Sequence, residues 1–255
     1  MSSIALDLTA EEQALVKRLR SLKVPAMADA LEQQLKDPNA DLNSFMERIS
    51  MLVDAECQSR ANKRFVRLLK KASLRYPTAD IDKSIYLPER QLDTQTIERL
   101  STCHWIEEGK NLLVTGASAS GKTFLVNALC ITAMRQSKHV RYIRANTLMQ
   151  EMEHARLISE DMKYMKEIAK LDLLVIDDFG LMDLDIDRCL HLFEVLDTRD
   201  GRKSTTVISQ FPVSSWFDMF ADNTYADACL TRITDKHHTY RLEMNGINMR
   251  ETDQL

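Results

Sequence analysis

The sequence predicts an α/β protein in which a small all-α domain precedes a parallel sheet, and three observations predict it. Up to about residue 76, apolar residues recur at helical spacing. From Asn111 onward, short apolar runs alternate with helical stretches, the pattern of strand–helix units stacked into a parallel sheet. Between the first of those strands and its helix stands Gly116-x4-Gly121-Lys122-Thr123. These features divide the chain into residues 1–76, helical; 77–108, a linker with one short helix; and 109–255, the α/β domain.

In order along the chain, Thr9 and Glu12 suit a capping box, and Leu15, Leu19 and Leu22 continue the stripe of a first helix that stops at Pro25. A second helix covers 26–36 and breaks at DPNAD. A third starts near Asn43, its expected cap, and runs to about Leu74 before Tyr76–Pro77. A short helix covers 94–101. Strands are expected at 111–115, 140–145, 173–177, 205–209 and 239–243, with helices between them.

Composition excludes several classes. With 44% apolar and 28% charged residues, the chain matches ordinary soluble proteins, and no apolar stretch approaches the roughly 20 residues that span a bilayer. The N-terminus carries acids where a secretory signal needs a basic start and an apolar core, so a cytoplasmic protein is expected. Cys57, Cys103, Cys130, Cys189 and Cys229 offer no C-x-x-C pair and read as buried small hydrophobes. The net charge of −4 gives no whole-chain argument for nucleic acid, which leaves the local distribution of charge to decide.

The run after the first strand is a P-loop. Its residues Gly116, Ala117, Ser118, Ala119, Ser120, Gly121, Lys122, Thr123 and Phe124 are the expected ATP contacts, with backbone N–H groups and a helix N-terminus turned toward phosphate. Lys122 can reach the terminal phosphates and the Thr123 hydroxyl can ligate magnesium (Mg2+). The run LDLLVIDDFG then supplies Asp177 as metal carboxylate and Asp178 as the group facing an attacking water; read without the P-loop, two acids after a strand serve as readily to cap the next turn. Gln210, after the strand TTVIS, is either a sensor of the terminal phosphate or a polar residue in the turn before Pro212. A lone arginine such as Arg232 is by itself more often a surface residue than a catalytic one.

Taken together, GASASGKT, LLVIDDFG, SQFPVSSW, ADACLTRI and NGINMRE resemble the IstB family of AAA+ ATPases, which assist the transposases of insertion sequences. The resemblance spans nearly the whole chain; DnaC-type helicase loaders are similar across the ATPase core. It implies strand order 5-1-4-3-2, a homo-oligomer with ATP at subunit junctions, bound double-stranded DNA and a transposase partner. It also implies that Arg232 acts across a junction as an arginine finger. Three features depart from the family pattern: the loop lacks the proline and extra glycine of many relatives, Asp178 replaces the commoner glutamate, and about a dozen residues follow the last strand. That length leaves no room for a C-terminal helical lid, and Arg250 is the one candidate to replace its sensor arginine. The implied function is an ATPase that assembles on DNA to recruit or activate a transposase. A helicase loader is the alternative; a metabolite kinase would need a lid and an acceptor pocket.

One segment favours DNA. Arg60, Lys63, Arg64, Arg67, Lys70, Lys71 and Arg75 fall in a run with no acid, and 60, 64, 67 and 71 share one helical face, with Phe65, Leu68, Leu69 and Ala72 left for packing. Such a stripe suits duplex phosphates through counterion release, although charge runs of this kind also occur as solvated helix faces. His237–His238 reads as a surface turn, and Trp105 and Trp216 as packing anchors, Trp105 also as a candidate neighbour of the adenine.

Overall fold

Thr9 and Glu12 start the first helix as a reciprocal capping box: the Glu12 amide donates to Thr9 Oγ1 at 3.3 Å and the Thr9 amide to Glu12 Oε2 at 2.8 Å. The computed structural model describes residues 8–83 and 92–244, in two units that meet in sequence between Val66 and Arg67. In the first unit, α1 (Ala10–Ser21) is followed by α2 (Pro25–Lys36), which begins on Pro25 itself because a fixed φ and a missing N–H suit the first helical position. No local side chain caps α2. Instead the buried carboxylate of Glu56 accepts the amides of Ala26 and Met27 at 3.0 and 3.3 Å.

Glu56 lies on α3 (Phe45–Ala72), a helix of 28 residues. Its cap is Ser44 and not Asn43: Ser44 Oγ accepts from the Glu47 amide at 3.3 Å while Glu47 Oε2 accepts from the Ser44 amide at 2.7 Å. The Ser-x-x-Glu spacing closes this box, which Asn43 cannot do. The helix ends two residues earlier than expected, where Ser73 takes a left-handed conformation (φ 56°).

The second unit continues through α4 (Thr94–Ser101, capped by Asp93) and α5 (His104–Glu107) into β1 (Asn111–Gly116) and α6 (Lys122–Arg135). There follow β2 (Val140–Arg144), α7 (Ala145–Leu157), α8 (Asp161–Lys170), β3 (Leu173–Phe179), α9 (Ile186–Arg199), β4 (Ser204–Ser209), α10 (Asn223–Thr234) and β5 (Thr239–Met244). All five expected strands form. They pair in parallel in the order β2-β3-β4-β1-β5, the expected order read from the other edge. Every residue of the central β4 is buried, as a strand flanked on both sides requires.

The core joins Leu113, Ile176 and Val207 of the sheet to Leu148, Met149, Leu192 and Val195 of the helices. Trp216 is buried against Phe179 at 4.7 Å between ring centroids. Trp105 is a packing anchor only. Its carbonyl accepts from Ser204 at the start of β4, which puts it at the amino edge of the sheet, opposite the P-loop, and removes it as a neighbour of the adenine. Arg199 is also buried. Its guanidinium donates to the carbonyls of Ile168, Leu171 and Ser204 and to Thr205 Oγ1, tying the end of α8 to the start of β4. Among the described residues no helix is long and apolar enough to cross a membrane. Residues 245–255, including Arg250, lie outside them.

Candidate active site

The parallel sheet brings the ends of β1, β3 and β4 to one edge, and the expected site is built there. Gly116 ends β1 with φ 141°, and a Cβ on it would stand 1.9 Å from the carbonyl oxygen of Met244 on β5. No other residue fits. Ala119 (φ 62°) and Gly121 (φ 85°) turn the loop back into the first turn of α6, the geometry in which successive amides face an anion. Lys122 is buried and its Nζ donates to the Gly116 and Ala117 carbonyls, both at 2.7 Å. Burial pushes its pKa down, while the charges of Asp177 and Asp178 pull it back up.

Thr123 Oγ1 donates to Asp177 Oδ2 at 2.9 Å, so the P-loop residue and the strand acid expected to share a metal touch each other. Asp177 is only 2% exposed. Tyr142 of β2 donates to the same oxygen at 2.5 Å, and the Asp178 amide donates to Oδ1 at 2.7 Å. The donor set fits magnesium, a hard cation that takes one or two protein oxygens and fills its remaining positions with water and phosphate oxygen.

The strand does not end at Asp177 as expected. It continues to Phe179 through a register irregularity after Ile176, and at that point Asp178 adopts φ 57°. This turns Asp178 out of the sheet to face Arg144, with Arg144 Nε 3.5 Å from its Oδ2. Gln210 is exposed, one residue beyond β4, whose last residue Ser209 donates to the Phe179 carbonyl at 2.7 Å. Gln210 therefore emerges between the ends of β1 and β3.

Arg232 is not brought to this edge. It lies in the last turn of α10, where its main-chain carbonyl accepts from Asn111 at the start of β1. Its guanidinium binds Asp197 of α9 at 2.7 Å and stacks over Phe193 at 4.7 Å.

The profile described as IstB-like ATP binding protein matches residues 17–255. The chain belongs to that family. Its relatives include the y4uH insertion-sequence ATP-binding protein of Sinorhizobium fredii, 36% identical over 92% of this chain and 94% of that one. The ATP-binding protein of insertion sequence IS1162 from Pseudomonas fluorescens is 36% identical over 80% of this chain and 88% of its own. Among solved structures, the DnaC helicase loader superposes with a TM-score of 0.57 at 18% identity, covering 67% of this chain and 98% of that one, a likeness of fold. The IstB-like chain is thus an AAA+ ATPase.

The basic run of this IstB-like chain divides by surroundings. Six of its residues lie on α3 and are exposed, as is Arg75 beyond the helix end. Arg60 is engaged within the first unit, binding Glu56 at 2.8 Å and donating to the Lys23 carbonyl at 3.2 Å. Acid was absent from the run itself but stands one turn before it. Arg75 stacks over Tyr76 at 5.7 Å.

Sequence reading missed Tyr142, Arg144 and the docking of Tyr76. The Tyr76 amide donates to Asn127 on α6 at 2.8 Å and its ring lies 5.9 Å from Phe124, which itself follows Thr123. Tyr142 carried one signal, a phenol within a strand whose other buried positions are the apolar Val140 and Ile143. A buried phenol needs a partner, and the neighbouring strand carries the acid Asp177.

Proposed function

We propose that this IstB-like ATPase is a transposition helper that assembles on duplex DNA under the control of ATP and there recruits or activates a transposase. The contact of Thr123 with Asp177 carries the reading, because it joins both halves of a magnesium–ATP site in a chain related to insertion-sequence ATP-binding proteins. Lys122 exchanges its two loop carbonyls for the terminal phosphates. Thr123 and Asp177 hold magnesium, which neutralises phosphate charge when bound. Asp178, steadied by Arg144, orients the attacking water, and Gln210 senses the terminal phosphate from the end of β4. Arg232 serves the site of a neighbouring subunit, for which it must leave Asp197. The exposed lysines and arginines of α3 and Arg75 grip the phosphates of the duplex.

The reading is tested by sedimentation of the full chain with duplex or single-stranded DNA of equal length, with and without a non-hydrolysable ATP analogue. Large nucleotide-dependent assemblies on the duplex are expected. Assembly on single strands alone would instead make the protein a helicase-loader analogue, and no change of size on either DNA would remove the DNA-bound function.

A further inference from the structure

β2 contributes a side chain to the nucleotide site that the P-loop and the acidic pair do not by themselves require. Tyr142 is buried, and its hydroxyl and that of Thr123 converge on one oxygen of Asp177 while the Asp178 amide takes the other. A carboxylate held on one oxygen can rotate about its Cβ–Cγ bond. Donors on both oxygens fix its plane. Tyr142 is well placed to do this because β2 pairs directly with β3, Tyr142 opposite Val175 and Arg144 opposite Asp177.

Of the three donors, Thr123 is the one a cation also needs. Ligation through a lone pair leaves the Thr123 proton free to stay on Asp177, and the Tyr142 hydroxyl and the Asp178 amide hold the carboxylate by bonds that do not involve the cation's other ligand. We propose that Tyr142 is a positioning residue for magnesium binding, fixing Asp177 against Thr123 so that both oxygens meet the cation together. The inference rests on the assignment of Asp177 as metal carboxylate. Partners of this outer kind are generally worth 10–100-fold in metal affinity.

The test uses the full chain, a fluorescent ATP analogue and magnesium titrated from zero, comparing wild type, Tyr142→Phe and Asp177→Asn. Tyr142→Phe keeps the ring and its packing, and thermal melting checks the fold. Expected for Tyr142→Phe is an analogue affinity in EDTA within about twofold of wild type, and a magnesium midpoint raised about tenfold. An unchanged midpoint in Tyr142→Phe, with a shifted one in Asp177→Asn, overturns the role of Tyr142 alone. Equal weakening with and without magnesium also overturns it, by making Tyr142 merely structural. A normal midpoint in Asp177→Asn would instead remove the metal assignment beneath it.

Discussion

Arg232 and Asp197 form an ion pair of 2.7 Å within one subunit, with the guanidinium lying over the ring of Phe193. The residue expected to act across a junction is therefore tethered at home, on the edge of the sheet away from its own P-loop. Replacing Arg232 by alanine leaves ATP affinity of the isolated subunit within about twofold but lowers turnover in the assembled state by about a thousandfold, the scale of a lost arginine finger. The check is turnover measured against protein concentration. A variant whose turnover still rises with assembly would place the finger elsewhere.

Lys122→Ala removes the only cation buried in the loop. Nucleotide affinity, followed with a fluorescent analogue, falls at least about a hundredfold, as for loss of a buried charge-assisted partner. Melting temperature in the absence of nucleotide barely changes, since Lys122 then binds only two loop carbonyls.

Arg67 and Lys71 lie one turn apart on the exposed face of α3. Reversing both to glutamate weakens duplex binding across all sequences alike and flattens the dependence of log K on log salt by about one per residue. Fluorescence anisotropy at several salt concentrations measures both. Arg60→Glu disturbs the first unit as well, because Arg60 also partners Glu56.

Arg199→Met removes a donor from the carbonyls of Ile168, Leu171 and Ser204 and from the Thr205 hydroxyl, of which Ile168 keeps the Leu171 amide. The cost is about 3–5 kcal/mol, from several buried acceptors at about 1–3 kcal/mol each, which corresponds to a fall of about 10 °C or more in melting temperature for a unit of this size. Circular dichroism melting detects it.

Cys57 is exposed and the other four cysteines are buried. Burial pushes the Cys103 thiol up to about 11 and that of Cys229 to about 12. At pH 8 iodoacetamide therefore labels one thiol per native chain, counted by mass spectrometry, and five after denaturation. Both raised thiols favour the protonated form in the fold. Their contribution is complete below the unfolded thiol pKa near 9 and is lost as pH rises through 11, so alkaline melting temperatures decline over that window.

Periodicity and the P-loop spacing made the five strands and the Lys122, Thr123, Asp177 constellation legible, because a parallel sheet turns chain order into position along one edge. The family resemblance supplied the strand order. What stayed hidden depends on contacts between residues far apart in sequence. Tyr142 and Asp177 are 35 residues apart, and Glu56 caps a helix that begins 31 residues before it. Cap positions slipped for a simpler reason. Asn43 and Ser44 both favour capping, and only the distance to Glu47 separates them. The strand end at Asp177 was misread because a left-handed Asp178 lets pairing resume at Phe179, an option that residue propensity disfavours.

The near contact of Gly116 with Met244 makes β5 the floor of the nucleotide loop. That strand pairs on one side only, with β1, and among the described residues no further strand lies beyond it. A side chain larger than hydrogen at residue 116 would therefore wedge the loop away from β5, at one of the two edges of the sheet.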